Sequence, residues 1–294
     1  MPIDFKTQWN ASAALYAKRC ADNAVYRIAA GRLVELAGIQ PGMTVLDLAC
    51  GCGLVSQEIL IRFHTSVTVI GIDYSIEMVE FARKNIGERA EFRCIAAEEC
   101  SSAVAAPVDR VLCNAAFWQF RPDAISTQIR QVLRPDGYFV FNLPRFNGPT
   151  SVDEPGQEIH RLVLDERIRR GLFQPAAPAQ TIGRPERRYD TVLDELGKAG
   201  FIIGLQEDFA YKVDPDDYLE FLSIPCIARR SFLFRGLVEQ DIQQILDAVR
   251  RVCAPGRSPE IKWRMCVAYP PRGSENRGSA SWKSEQPINS SMTV

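Results

Sequence analysis

The chain has 294 residues, of which 46% are hydrophobic and 24% charged, a composition typical of a globular protein that can bury a sizeable core. Its formal net charge is −1, so it has no basic footprint for nucleic acid or for an anionic membrane. The sequence begins without the apolar core of a signal peptide, and no apolar run reaches the roughly 18 residues that a membrane helix needs. We therefore expect a cytoplasmic protein with neither a nucleic acid nor a membrane as its partner.

The first half of the chain alternates between helical and strand patterns. Residues 10–38 are rich in alanine, carry apolar residues at helical spacing and stop at Gly38. A Pro-Gly turn then leads into a short apolar strand at 44–49 and a helix over Leu54–Phe63. Further strands are predicted within 67–73, 90–99, 108–117 and 138–144, with helices over 75–86 and 121–137. Short apolar strands that alternate with helices predict an α/β fold, a doubly wound and mostly parallel sheet covered on both faces.

After Pro144 this rhythm is interrupted twice. A Pro/Ala-rich stretch and an Arg-rich helical pattern come first, and two further helical patterns come after a sixth strand. The last residues are polar and predict a disordered tail. The division we expect is cap helices in 1–41, a cofactor-binding core in 42–144, a lid insertion in 145–189, a core helix and strand in 190–208, a second lid insertion in 209–260, a last strand in 261–272 and the tail in 273–294.

The turn after the first strand is the candidate binding site. Ligands of such sheets lie at the carboxyl ends of the strands, and Gly51 and Gly53 let the backbone there bend sharply and approach a ligand. Asp73 ends the second strand, where a carboxylate can accept hydrogen bonds from ribose hydroxyls. These features favour a cofactor that contains adenosine. Cys50 and Cys52 do not form a CxxC pair, and the chain has two histidines, so we expect no metal site.

Three interpretations of this turn differ in what the acids do. A plain tight turn has no need for Asp47 and Asp73 at these spacings. A dinucleotide site prefers GxGxxG, but Ser56 occupies the third glycine position. The acid Asp47, four residues before Gly51, suits a ligand that carries a cation.

Several segments resemble the class I S-adenosylmethionine-dependent methyltransferases. "VLDLACGCG" resembles their motif I, in which an acid and three residues precede GxG. "VIGIDYS", "FRCIAAEEC", "VDRVLCNAAFWQF" and "VLRPDGYFVFNLP" are similar to later segments of that family, in the same order. The resemblance covers residues 42–144. It implies a Rossmann-like, seven-stranded sheet with helical lid insertions, and S-adenosyl-L-methionine as the cofactor.

The resemblance also implies the residues of the cofactor site. Asp47 would lie below the methionine end of the cofactor, Asp73 would hold the ribose, and Trp9 and Tyr16 belong to helices that fold over it. Ala96 stands where the family often has an acid for the adenine amino group, so Glu98, Glu99 or a backbone carbonyl would take that role. The full set of expected cofactor contacts is Tyr16, Asp47, Ala49, Gly51, Gly53, Asp73, Tyr74, Met78, Ala97, Glu98, Asn114 and Ala115.

The acceptor is expected to be a small molecule, because the insertions leave from the cofactor edge of the sheet and can form a lid. Its predicted contacts are Phe117, Trp118, Phe221 and Arg229. The arginines Arg229 and Arg230, and the group Arg167, Arg169 and Arg170, could pair an acidic substrate or form solvated helix faces.

The reaction implied is an in-line displacement, for which the protein mainly aligns the acceptor with the methyl group. A general base is needed only where the acceptor loses a proton, and His160 is a weak candidate for that role, with a surface position on a helix as the alternative. The sequence thus predicts a methyltransferase that acts on an oxygen or nitrogen of a small, partly apolar metabolite. A non-catalytic binding protein with the same fold and a NAD(P)-dependent oxidoreductase remain as alternatives. The identity of the acceptor and the oligomeric state stay open.

Overall fold

The computed structural model describes residues 5–20, 23–144, 155–172, 189–229, 231–253 and 258–271. The predicted tail at 273–294, the Pro/Ala-rich stretch at 174–185 and Arg230 lie outside these residues. Within the described ranges, no helix is both long enough and apolar enough to span a membrane.

Seven strands form one sheet in the order β3-β2-β1-β4-β5-β7-β6. The strands β1 to β5 pair in parallel, whereas β7 runs antiparallel to both β5 and β6. The order reverses beside β1, so the turn after β1 lies at the switch point of the sheet. The predicted doubly wound, mostly parallel sheet is confirmed. The strands are β1 (Thr44–Leu48), β2 (Thr68–Asp73), β3 (Glu91–Cys94), β4 (Val108–Cys113), β5 (Leu133–Pro144), β6 (Ile202–Lys212) and β7 (Glu260–Tyr269).

Polar side chains define the starts of several helices. Ser75 accepts a hydrogen bond from the backbone N–H of Met78, as Asn23 does from Val25 and Asp214 from Asp216. Each side chain satisfies a backbone donor that the first helical turn leaves unpaired. The helices are α1 (Phe5–Cys20), α2 (Ala24–Leu36), α3 (Leu54–Phe63), α4 (Ile76–Ile86), α5 (Pro122–Val132), α6 (Pro155–Arg169), α7 (Tyr189–Lys198), α8 (Pro215–Leu222), α9 (Pro225–Ala228) and α10 (Glu239–Val252).

Both faces of the sheet are covered, and a third core lies outside it. On one face α1 to α4 and α9 pack over residues such as Val45 and Val140; on the other, α5 and α7 pack over residues such as Leu46 and Phe141. The third core joins α6, α8 and α10. The two excursions in the sequence therefore pack together as one helical unit, although α7 and β6 separate them along the chain.

Two element boundaries differ from the sequence prediction. The helix predicted to run to Gly137 ends at Val132, because Leu133 already pairs with Val108 as the start of β5. A Cβ atom on Gly137 would lie 2.9 Å from the carbonyl oxygen of Asp109, so the chain crosses β4 too closely there for a larger residue. The sixth strand continues to Lys212, since it pairs with β7 as far as Glu260.

Candidate cofactor and acceptor site

The turn between β1 and α3 is a left-handed backbone segment held against β2. Ala49, Gly51 and Gly53 have φ angles of +57°, +53° and +90°. The backbone N–H of Cys50 donates to the carbonyl oxygen of Ile72 (2.8 Å), which fixes the turn to the neighbouring strand. Gly53 precedes α3 and packs on α4, where a Cβ atom would lie 2.7 Å from Ile86 Cδ1. Packing as well as conformation therefore requires glycine at this position.

Asp73 connects the end of β2 to this turn. Its Oδ2 accepts a hydrogen bond from the backbone N–H of Gly51 (3.0 Å), and its Oδ1 accepts one from Ser75 (2.9 Å). Burial raises the pKa of this carboxyl, and the backbone donors oppose that shift. An ionised carboxylate offers about four acceptor positions, so Asp73 can still accept hydrogen bonds from ligand hydroxyls. The structure thus places the predicted ribose-binding acid beside the glycine turn.

Asp47 lies beneath the turn with an exposed fraction of 1%. Its Oδ2 accepts hydrogen bonds from both the backbone N–H (3.0 Å) and the hydroxyl (2.7 Å) of Ser56. Burial raises the pKa of Asp47 to about 7; the two bonds from Ser56 oppose this shift, and the charge of Asp73 adds to it. Ser56, which occupies the third glycine position of the dinucleotide pattern, is therefore the hydrogen-bond partner of Asp47. The sequence analysis did not predict this pairing.

The N-terminal helix covers the turn. A Cβ atom on Gly51 would lie 3.9 Å from Cε1 of Tyr16, so the ring of Tyr16 stands directly over this glycine. Burial, together with the neighbouring Cys20 and Tyr26, raises the pKa of the Tyr16 hydroxyl. The ring of Trp9 packs edge-on against Tyr16 at 5.4 Å between centroids. The structure thus brings Tyr16 to the predicted cofactor turn.

On the side predicted for adenine, Met78 lies in the first turn of α4 with an exposed fraction of 2% and is part of the core. Its contact with an adenine ring stays a prediction. Tyr74 and Glu98 are half-buried near the ends of β2 and β3, and Ala97 is buried. Their contacts with a cofactor stay predictions.

The loop after β4 is ordered by a buried asparagine that the sequence analysis missed. Oδ1 of Asn142 accepts a hydrogen bond from the backbone N–H of Ala115 (2.6 Å), and its Nδ2 donates to Oδ1 of Asn114 (2.7 Å). Asn114 in turn donates to the carbonyl oxygen of Tyr26 (3.3 Å). Asn142 fixes Ala115 in a left-handed conformation, with φ at +55°. A lone polar residue in the apolar strand "FVFNLP" was the available signal.

The predicted acceptor residues separate into two groups. Phe117 was assigned wrongly, because it is 3% exposed and packs at 4.9 Å and 4.6 Å from the rings of Phe139 and Phe141, in the core on the opposite face of the sheet. Trp118 and Phe221, in contrast, reach the same region as Asn114. The ring of Trp118 lies 6.1 Å from Trp263, which belongs to β7.

The lid residues also differ from one another. His160 is half-buried, its Nε2 lies 2.8 Å from the hydroxyl of Tyr218, and burial lowers its pKa. Arg167 is 4% exposed and donates to three backbone carbonyls, those of Leu172, Leu233 and Arg235. Arg167 is therefore a buried residue that stabilises the third core, so neither alternative, an acidic substrate or a solvated helix face, describes it.

The remaining arginines of the lid differ in their surroundings. Arg169 and Arg170 both pair with Glu166. Arg229 is exposed at the end of α9, and its contact with a substrate stays a prediction.

Comparisons with known proteins agree with this geometry. A family model described as a methyltransferase domain matches residues 39–171. A trans-aconitate 2-methyltransferase of Rhodopseudomonas palustris is 29% identical over 161 residues, which are 54% of this chain and 59% of the relative. The cyclopropane mycolic acid synthase MmaA2 of Mycobacterium tuberculosis is 29% identical over 188 residues, 60% of this chain and 62% of the relative. The chain thus spans less than two thirds of either relative, and as little as 42% of another curated relative that it matches.

Among solved structures, a Haemonchus contortus phosphoethanolamine N-methyltransferase in complex with S-adenosyl-L-methionine superimposes with a TM-score of 0.54. The two chains are 14% identical, and the match covers 92% of this chain and 60% of the other. At this identity the likeness shows the fold alone. The family model matches a methyltransferase domain over 39–171, and this range contains nearly all of the segment, 42–144, that resembles the class I S-adenosylmethionine-dependent methyltransferases.

Proposed function

We propose that this chain binds S-adenosylmethionine at the β1–α3 turn and transfers its methyl group to an oxygen or nitrogen of a small, partly apolar metabolite. The observation that carries the proposal is the carboxylate of Asp73 at the end of β2, hydrogen-bonded to Gly51 of the glycine turn. A carboxylate at the switch point of the sheet is suited to accept hydrogen bonds from ribose hydroxyls, and Tyr16 lies over the turn.

Each group of the turn has a separate task in this proposal. Asp73 holds the ribose hydroxyls, the turn at Gly51 allows close approach of the backbone, and the first turn of α3 directs free N–H groups at the ligand. Asp47 supplies negative charge beneath the methionine end, where Ser56 keeps it hydrogen-bonded. When bound, S-adenosylmethionine supplies an activated methyl group.

The protein's remaining task is to align the acceptor and to exclude water. Asn114 and Ala115, fixed by Asn142, form the floor beyond β4 on which an acceptor would rest. We propose that the unit of α6, α8, α9 and α10 acts as the lid, since α8 and α9 reach the cap helices. The side chain of Asn23 donates to the carbonyl oxygen of Asp217 (2.7 Å), which joins α8 to the start of α2.

The alternatives make different demands on the same residues. A non-catalytic protein of this fold has no need to keep Asp47 paired and Asp73 at the turn. A dinucleotide site needs a third glycine where Ser56 instead binds Asp47. Both alternatives predict a different pattern of ligand binding, which a single experiment can separate.

Thermal unfolding with S-adenosylhomocysteine, S-adenosylmethionine, NAD or NADP tests the proposal. A ligand at about a hundred times its dissociation constant stabilises the folded state by about 2.7 kcal/mol, a shift of several degrees. We expect the shift with the two adenosyl ligands, and we expect Asp73→Ala to abolish it. Asp194→Ala, on an exposed position of α7, is the matched control and should keep the shift. A shift with NAD or NADP alone, or none with any ligand, would contradict the proposal.

A further inference from the structure

Asp47 is a buried carboxyl without a cationic partner in the described part of the chain. It is 1% exposed and lies near the end of β1, beneath the cofactor turn. Its Oδ2 accepts the two hydrogen bonds from Ser56, and no ion pair within the described residues involves it. A buried carboxylate is costly unless a cation or several donors compensate its charge. The protein itself therefore compensates the charge of Asp47 only in part.

The titratable groups that act on Asp47 are acidic or neutral. Asp73 acts on it from β2, and its charge opposes the ionisation of Asp47. The thiols of Cys50 and Cys52 in the turn and of Cys113 on β4 also interact with it. Burial raises the pKa of all three thiols above its ordinary value, so they stay neutral near pH 7. These surroundings favour the protonated form of Asp47.

Ser56 favours the ionised form, because it donates twice to the same carboxylate oxygen. Its backbone N–H is one of the donors that the first turn of α3 leaves unpaired, and it lies 3.0 Å from Oδ2 of Asp47. Its hydroxyl lies 2.7 Å from the same oxygen. Both hydrogen bonds and the positive end of a helix stabilise a carboxylate. Burial raises the pKa of Asp47 to about 7 against these bonds, so a nearby positive charge can change its protonation at neutral pH.

We propose that Asp47 carries a proton in the free protein at slightly acidic pH and releases it to solvent when the ammonium group of the cofactor's methionine end binds at the turn. That ammonium group is the cation that the protein does not supply. It can act across the turn without direct contact, because attraction between buried charges is only weakly screened. Ser56 is the positioning residue that keeps the carboxyl close to ionisation. The inference rests on the proposed function and adds a proton to its binding step.

Isothermal titration calorimetry of the full chain, in buffers that differ in ionisation enthalpy, counts the protons released on binding. The ligands are S-adenosylhomocysteine, which carries the ammonium group, and methylthioadenosine, which has the same adenosine but no charged end. Both ligands bring ribose hydroxyls to Asp73, so the difference between them isolates the proton of Asp47. With a pKa of about 7 for Asp47, we expect S-adenosylhomocysteine to release up to about 0.9 proton more at pH 6 and about 0.2 more at pH 7.5.

Asp47→Asn identifies the source of the proton. The amide keeps the shape of the side chain but has no proton to release, so we expect the proton release with S-adenosylhomocysteine to fall to that of methylthioadenosine. Equal proton release by the two ligands in the wild type would overturn the inference and leave the proposed function in place. An excess that persists in Asp47→Asn would also overturn it, because the proton would come from another group. Failure of both ligands to bind would instead report failure of the proposed function.

Ser56→Ala tests the positioning role, because it removes the hydroxyl and keeps the backbone donor. It should raise the pKa of Asp47 by about one unit, and so weaken S-adenosylhomocysteine binding about threefold at pH 7.5 and about tenfold at pH 6. The same loss at both pH values, or no loss, would refute the role of Ser56. Ser126→Ala is the matched control and should change neither affinity. Ser126 is also completely buried, but it lies in α5 on the other face of the sheet, and its hydroxyl has no hydrogen-bond partner within the described residues.

Discussion

Replacing Gly53 by alanine tests whether the cofactor turn is held by close packing as well as by its backbone conformation. At φ = +90° a residue with a Cβ atom is strained by about 1–2 kcal/mol. The new atom would also lie 2.7 Å from Ile86 Cδ1 and 3.3 Å from Ala82 Cβ, and overpacking of this kind costs about 1–3 kcal/mol. We therefore expect Gly53→Ala to lower the free energy of unfolding by about 2–5 kcal/mol.

Gly42→Ala is the matched control. Its φ angle of +86° imposes the same strain, but no atom lies within 4 Å of its added Cβ. Urea unfolding followed by circular dichroism gives both free energies, and we expect Gly53→Ala to be the less stable by about 1–3 kcal/mol. Equal losses in the two variants would refute the packing argument and show that α3 and α4 move apart at little cost.

Three further predictions concern the site. Gly51→Ala should destabilise the fold no more than Gly42→Ala, because the nearest atom to its added Cβ is 3.9 Å away. It should nevertheless weaken S-adenosylhomocysteine binding in calorimetry, because the added methyl group lies on the ligand side of the turn. Burial raises the pKa of Asp47 to about 7, so the native state holds a proton there that the unfolded chain releases near pH 4, and this carboxyl costs stability as pH rises from about 4 to 7. In urea titrations, Asp47→Asn should therefore gain up to about 4 kcal/mol of stability relative to the wild type across that window. A difference that stays constant with pH would contradict the assignment. Asn142→Leu should lower the unfolding free energy by about 2–4 kcal/mol because two half-buried partners, Asn114 and Ala115, lose their hydrogen bonds, whereas Asn85→Leu on the exposed face of α4 should change it little.

The parts of the fold that the sequence predicted are those fixed by local patterns. Buried parallel strands read as continuous apolar runs, and Ser75 marks the start of α4 with its own hydrogen bond. The end of α5 was missed because Leu133 is equally compatible with a helix, and its pairing with Val108 is a long-range contact. The extension of β6 to Lys212 also depends on its partner strand.

The contrast between local patterns and long-range contacts also separates the site residues that the sequence predicted from those that it did not. Asp47, Asp73 and the two glycines follow from spacing along one β-α-β unit, so a linear motif contains them. Phe117 shows what the motif leaves undetermined, since the sequence gives a residue's element but not which side of that element faces the ligand. The ring of Phe117 packs in the core on the opposite face of the sheet.

Helix α2 explains why the acceptor side in particular escaped prediction. Its residues form three hydrogen-bonded pairs with distant residues: Val25 with Tyr211 and Arg32 with Glu207, both of β6, and Tyr26 with Asn114 after β4. The neighbouring Asn23 adds a fourth to α8. Each bond contributes on the order of 1 kcal/mol and none is visible as a motif. These bonds tie one helix to the sheet edge, the loop after β4 and α8, so the acceptor side is built from long-range pairings that no local pattern of the sequence contains.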